Sequence, residues 1–397
     1  LRGGKAEASR TVGRLGREAD GSQGLTCPVV GEMAERSLEA RFGEALKVVD
    51  ECEGKKGFYA SVSNYSGQYW LRDLVFSLPI LLRLGRVEKV KAHLTLFFEA
   101  YRRWGKVPAP ICERGALTYF TCFFRLLRRP SRLAAYPLGF MLPNLSSRGF
   151  QPWTGDSPLL LLIGVREFEE ATEDRSLAEG FREEAGRLLE EASARVEEGR
   201  LPTGGGWMDA MANYVGKPCL ILQVLLYRAL KLHGREKLAG RLRSLIFEAY
   251  WREGFLADLP GGDRLDVLGN ALAILYRLLD GEKAFQAAEA FSRASTEKGI
   301  LNLYPPYPKK VCGQKPHVYH NSTIWPLVQG YAAEALASLG LKERAEAEYR
   351  RILSLPGLNE WYGLDGKPRG SPKQLWTAAQ VISACWALGF SEENQLV

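Results

Sequence analysis

The chain has 397 residues, 46% hydrophobic and 25% charged, with a formal net charge of +7. That balance belongs to a globular protein with material for a large core, and it excludes collagen-like and intrinsically disordered classes. A charge spread this thinly gives no electrostatic reason to expect a nucleic-acid partner.

Residues 1–33, rich in Gly, Arg and Ser, read as a flexible leader without the apolar stretch of a signal peptide. From there on, apolar periodicity near 3.6 residues, broken by Gly and Pro, predicts helices over about 34–52, 70–84, 87–103, 156–171, 175–197 and 216–233, and then over 235–251, 265–279, 281–294, 321–339, 341–354 and 372–389. No segment of useful length alternates as a strand would. The even-numbered helices are apolar nearly all round, as in Pro158 to Gly164 and Leu265 to Leu275. The odd-numbered ones carry a charged face, as in Arg182 to Glu191 and Leu341 to Arg351. A helix apolar on every side must be enclosed, whereas one with a charged face can border water. Links from even to odd helices are short, as at Gly234, Asp280 and Gly340, while the return links are long. Twelve helices alternating in this way predict an all-α (α/α)6 toroid over 34–397, an inner ring wrapped by an outer one. A solenoid would show similar repeat lengths and a shared motif. All long links fall on one face, with the N-terminal ends of the inner helices, and function concentrates on such loops.

Cys27, Cys52, Cys112, Cys122, Cys219, Cys312 and Cys385 form no CxxC pair, and the chain has four histidines. Neither a metal site nor any other cofactor is expected, and scattered thiols of this kind suit a cytoplasmic location. Apolar runs such as Ser157–Val165 are too short to span a bilayer, so no membrane partner is expected. The basic run Arg125, Arg128, Arg129 and Arg132 reads as a solvated face. The oligomeric state is left open.

Polar and aromatic residues gather where the inner helices begin. They are Tyr69, Trp70, Arg72 and Asp73; Trp153 and Asp156; Trp207 and Asp209; Asp263, Arg264 and Asp266; Tyr319, His320, Asn321 and Trp325; and Glu360, Trp361 and Asp365. Taken singly, an acidic residue at such a position is an ordinary helix cap. Six loops bringing carboxylates and rings to one mouth suit a sugar, whose C–H faces stack on rings and whose hydroxyls pair with carboxylates and Arg.

Trp207-Met208-Asp209 followed by Gly216-Lys217-Pro218 resembles the acid-bearing segment of glycogen-debranching amylo-1,6-glucosidases and of neutral/alkaline invertases. In order along 60–389, four further segments are similar to theirs: Tyr69 to Asp73, Gly155 to Ser157, His320 to Pro326, and Asn359-Glu360-Trp361 with Asp365-Gly366 and Gln374 to Trp376. The chain departs from them at Leu220, where those families usually carry Glu, and in the 104–155 insertion with its rings at Tyr119, Phe120, Phe123 and Phe124. The resemblance implies a six-hairpin glycosidase that inverts an α-linked oligosaccharide. Asp209 would be the general acid and Glu360 the general base, with Tyr69, Trp70, Arg72, Asp73, Trp153, Asp156, Trp207, His320, Asn321, Trp325 and Trp361 binding substrate. A sugar epimerase would need paired histidines across the cavity, and the chain offers only His317 and His320 on one loop. A non-catalytic sugar-binding scaffold would not need Asp209 and Glu360 on facing loops.

Overall fold

The computed structural model describes residues 28–113 and 154–390. It contains twelve long helices among the described residues. Six are outer: α1 (Pro28–Cys52), α3 (Val87–Trp104), α5 (Arg182–Glu197), α7 (Glu236–Tyr250), α9 (Gly281–Ala294) and α11 (Lys342–Ser354). Six are inner: α2 (Leu71–Arg83), α4 (Ser157–Thr172), α6 (Leu220–Leu232), α8 (Val267–Leu275), α10 (Pro326–Ser338) and α12 (Leu375–Ala387). Each inner helix packs on the next, α2 on α4, α6, α8, α10 and α12 in turn, and α12 packs back on α2, so the ring closes. Outer helices cover the seams: α3 lies against α2 and α4, α5 against α4 and α6, α9 against α8 and α10, and α11 against α10 and α12. The all-α toroid expected from helix alternation is the fold observed.

Apolar residues all round the inner helices make this packing possible. Leu159 to Ile163 of α4 and Val267, Leu268 and Ala271 to Ala273 of α8 are essentially buried. Outer helices bury one face only, as Ala239, Leu242 and Ile246 do in α7. The short links share a device not evident from the link lengths. After α2, α6, α10 and α12 a glycine takes a left-handed conformation, at Gly85, Gly234, Gly340 and Gly389. The next amide then reaches back to a carbonyl in the last turn, as from Arg86 to Leu81, Arg235 to Leu230, Leu341 to Leu336 and Phe390 to Cys385, at 2.8–3.0 Å. This is the Schellman closure, in which a left-handed residue satisfies the helix's last carbonyls. At α8 a non-glycine, Arg277, fills the position with φ +55°.

Three inner helices start later than the sequence reading has them, and one outer helix starts earlier. Inner helices expected from about 216, 321 and 372 begin at Leu220, Pro326 and Leu375. Pro218 disfavours helix in the residue before it, and Pro326 occupies the first helical turn, where a missing N–H costs nothing. Helix α1 begins at Pro28, inside the stretch read as leader. The helix expected over 175–197 is broken at Phe181 (φ −123°), leaving Ser176–Gly180 as a separate turn.

On the opposite face the long links are tied into a closed hoop by backbone pairing. Gln68–Trp70 pairs antiparallel with Pro110–Cys112. Gly155 N–H donates to Gly204 at 3.3 Å and Leu220 N–H to Asp258 at 2.9 Å. Leu265–Asp266 pairs with Leu303–Tyr304. Ile324 and Tyr362 exchange bonds of 2.7 and 3.1 Å, and Leu375 N–H donates to Ala60 at 2.9 Å. The described parts of all six loops are thereby tied to one another, although the strands involved are only two or three residues long.

Candidate active site

The first turn of α2 supplies two adjacent buried ionisable residues, Arg72 and Asp73. They point to different neighbours. Arg72 grips Asp156 with two arms, Nε to Oδ2 at 2.7 Å and Nη2 to Oδ1 at 3.1 Å. Its Nη1 donates to Asp209 Oδ2 at 2.5 Å, and Nη2 also donates to the Gly206 carbonyl at 3.0 Å. Four of the five guanidinium N–H groups are thus engaged, which suits the planar fork of Arg and no other cation. Asp156 sits at the head of α4 without capping it, since its carboxylate belongs to Arg72. Asp266 is the acid that does cap a helix, accepting from Gly269 N–H at 3.0 Å.

A glycine crossing brings Asp156 and Asp209 to the same guanidinium. Gly155 and Gly204 pass so closely that a Cβ on Gly155 would stand 2.9 Å from the Gly204 Cα. Gly204 and Gly205 adopt φ +149° and +74°, conformations that favour glycine. The Gly-rich segment before Trp207 is therefore the means by which the two loops cross.

Burial pushes the Asp209 carboxyl above its usual range, and Arg72 opposes that rise without cancelling it. The Asp209 side chain keeps 13% exposure, so the mouth reaches it. Burial works against the charge of the Arg72 guanidinium, but the two aspartates, Asp156 first and then Asp209, outweigh it and keep the group firmly charged.

Asp73 faces the other way. Gln374 Nε2 donates to its Oδ1 at 2.6 Å. Burial first, and then the nearby charge of Glu360, raise its carboxyl to about 8. Glu360 is held by neutral donors: Tyr319 Oη at 3.1 Å and Tyr65 Oη at 3.3 Å on Oε1, and Ser371 N–H at 2.9 Å on Oε2. Its own amide donates to the Ser371 carbonyl at 2.8 Å. Adjacent residues of one helical turn thus touch Asp209 on one side and sense Glu360 on the other.

An aromatic block lies beside this turn. His320 stacks on Tyr319 and on Trp325, with centroids 4.1 and 4.9 Å apart, and meets Trp207 edge-on at 5.2 Å. Burial and the positive charge of Arg72 hold the His320 imidazole well below its usual range, so it is neutral. Trp361 meets Tyr319 edge-on at 6.0 Å. Trp70 is half-buried, donates to Gln68 Oε1 at 2.9 Å and meets Tyr65 edge-on.

The predicted site residues therefore divide. Arg72, Asp73, Asp156, Asp209 and Glu360 form one linked group, with Trp207, His320, Trp325 and Trp361 beside it. Trp325 is fully buried, its Nε1 donating to Thr323 Oγ1 at 2.8 Å, so it supports the block from beneath. Asn321 is a loop clip: Nδ2 donates to the Tyr307 and Gln314 carbonyls, and Oδ1 accepts from Tyr307 N–H. Tyr69 turns outward toward α3, against His93, with its hydroxyl bonded to Glu113. Trp153 and the rings of the 104–155 insertion lie outside the described residues. His317 bonds the Ser322 carbonyl at 3.0 Å on its own loop. Among the described residues no group of three or more His, Cys, Asp and Glu is placed to hold a metal ion, and no helix is long and apolar enough to cross a membrane.

The sequence reading missed Tyr65 and Ser371 as holders of Glu360. It also missed a buried trio in which the Tyr214 and Tyr307 hydroxyls both donate to Asp258 Oδ2 at 2.6 Å. The polar, aromatic run Ser61 to Tyr65 just ahead of Trp70 was the available signal for the first; nothing in the spacing of the trio announces it.

No family model and no curated protein matches the chain by sequence. Solved structures do match. A structure titled "Glycosidase E178A" superposes with TM-score 0.67 at 16% identity, covering 90% of this chain and 98% of its own. "Glycosidase E335A in complex with glucose" gives 0.66 at 16%, with the same coverage. The GH63 mannosylglycerate hydrolase from Thermus thermophilus, in complex with Tris and D-glycerate, gives 0.60 at 16%, covering 87% and 99%. The chain shares over nearly its whole length the six-hairpin (α/α)6 fold of these glycosidases.

Proposed function

We propose that the protein is a glycoside hydrolase that inverts an α-linked substrate, with Asp209 as general acid and Glu360 as general base. The carrying observation is the α2 turn, where Arg72 donates to Asp209 and Asp73 feels the charge of Glu360, so that the two carboxylates stand in unlike environments. Glycosidic cleavage requires that unlikeness: one carboxyl must hold a proton for the leaving oxygen, and the other must be ionised to activate water. Burial favours the protonated form of Asp209. Glu360, by contrast, accepts from two hydroxyls and one amide, bonds that favour a carboxylate. A glycosidic oxygen approaching Asp209 would compete with Arg72 for the carboxyl. Trp70 and Trp361 offer ring faces and edges for the sugar, with the buried Trp207 backing the site, and Asp73 with Gln374 offers hydroxyl partners. The fold shared with glycosidases supports the reaction class, although one fold hosts many specificities.

The neutral His320, packed among rings, does not favour an epimerase, which needs bases able to cycle protons. Screening the protein against maltose, isomaltose, trehalose, sucrose, mannosylglycerate and limit dextrin tests the reading. Release of reducing sugar or glycerate from at least one is expected. Inactivity of the folded protein on all of these and on α-glycosyl fluorides would count against hydrolysis. We place the protein in the cytoplasm, on the scattered spacing of its cysteines without a CxxC pair.

A further inference from the structure

The face opposite the mouth carries a cavity of about 380 Å³ between α4, α5 and the link from α6 to α7. Its floor is apolar, built on Phe98 and Phe181, whose rings stack at 4.5 Å, and on Leu189. Gly186 also borders it and has nothing within 4 Å of where a Cβ would stand. Cations occupy the rim: Arg166, Arg175, Arg182 and Arg235, with Glu169 and Glu179 as the acidic residues. Four against two leaves a surplus of two positive charges. Glu169 is shared between Arg166 and Arg175, the second at 3.8 Å. Arg182 and Arg235 make no ion pair among the described residues, and the buried Nε of Arg166 has no hydrogen-bond partner. His233 completes the rim, with Nε2 3.2 Å from the Leu162 carbonyl. Donor forks around an apolar floor suit an oxyanion on a small apolar body, because Arg matches phosphate oxygens two at a time and the floor takes the rest.

We propose that this cavity is a second ligand site, taking a small phosphate ester, with Arg182 and Arg235 gripping the phosphate. His233 supplies an internal reporter. Burial lowers its imidazole first, the Leu162 carbonyl and Glu169 oppose that, and Arg166 and Arg235 add to the lowering. A bound dianion would offset those two guanidiniums, so the imidazole must titrate at higher pH when the site is filled.

Phenyl phosphate is the probe, used with the full chain in calorimetry and in proton NMR of the His233 ring. One saturable site is expected, with phenol and inorganic phosphate each binding about tenfold or more weakly, since each lacks half of the recognition. The double variant R182A/R235A should lose about tenfold or more in affinity. Its melting temperature and any glycosidase turnover should be unchanged, because both side chains are exposed and far from the mouth. R182K/R235K should bind at an intermediate level. D209N/E360Q should bind phenyl phosphate as the parent does. Undiminished binding by R182A/R235A, an unmoved His233 titration, loss of binding in D209N/E360Q, or equal affinity for phosphate and its ester would each overturn the proposal.

Discussion

Asp209 and Glu360 stand at the two sides of a single helical turn and are held by opposite means. Asp209 is gripped by a buried guanidinium that also holds Asp156. Glu360 is cradled by two phenols and a backbone amide, and its charge is felt by Asp73. A carboxyl whose burial outweighs its cation keeps its proton more readily, whereas one fed by neutral donors is stabilised as an anion. Under the proposed function, two residues of nearly the same chemistry would be set to opposite tasks by their surroundings, with Arg72 and Asp73 acting on the two sides.

The comparison breaks most visibly at the carboxylates themselves. Asp209→Asn and Glu360→Gln should each lower turnover by on the order of 10²–10⁴-fold while leaving the melting temperature nearly unchanged, since each group acts at the transition state. An α-glycosyl fluoride, which needs little help from an acid, should restore much of the rate of Asp209→Asn and none of that of Glu360→Gln. Equal recovery by both variants would remove the distinction between acid and base.

Arg72 tests the Asp209 side through stability. Replacing it with Met leaves Asp156, 1% exposed, without its cation. Breaking a buried pair in this way should cost roughly 3–5 kcal/mol in denaturant unfolding. Arg72→Lys cannot reproduce the fork and should fall between. A loss below about 1 kcal/mol for the Met variant, the range of an exposed pair, would mean the cluster is solvated.

The Glu360 side is sharpened by its phenols. Tyr319→Phe removes one hydrogen bond to the carboxylate, worth about 1.5–3 kcal/mol for a charged acceptor. Turnover should fall about tenfold, and the acidic limb of the pH–rate profile, which the general base Glu360 would set, should move to higher pH. A change in KM alone would assign Tyr319 to substrate binding instead.

The smallest expected effect is on stability against pH. Asp73 is raised to about 8 in the folded chain and titrates near 4 when unfolded. Between those values the folded state holds a proton that the unfolded state lacks, so stability is greatest at the acidic end and falls as pH rises to about 8. Asp266, raised to about 7 by burial, acts in the same direction but is spent sooner. The fall in melting temperature between pH 7 and 8 should therefore flatten in Asp73→Asn. An unaltered slope would contradict the burial and like-charge coupling assigned to Asp73.

The two halves of each helical pair were unequally legible in the sequence. The inner ring could be read because apolarity on all sides has one meaning, enclosure, and Leu159 to Ile163 leave no other choice. Arg72, Asp73 and Asp156 could be placed near one another because helix starts share a face. Which of them touch could not be read, since that depends on loop crossings such as Gly155 over Gly204, set by contacts distant in sequence. Tyr69 and Asn321 mark the cost of reasoning from position. Both lie at the right end of the ring, yet a strand's alternation sends Tyr69 outward, and a loop consumes every polar atom of Asn321. The closures at Gly85, Gly234 and Gly340 were visible as glycines in short links, but their common hydrogen bonding belongs to the folded backbone.

The proposed division of labour between Asp209 and Glu360 has a stereochemical consequence that one experiment reads directly. Carboxylates on facing loops separated by roughly 6.5–9.5 Å leave room for a water and invert the anomeric centre, whereas about 5 Å places a nucleophile against it and retains. Proton NMR of the first seconds of hydrolysis, on whichever α-linked substrate the screen identifies, shows which anomer appears before mutarotation. The account predicts the β-anomer first. The α-anomer first would contradict it, making one of the two carboxylates a nucleophile rather than a partner of water.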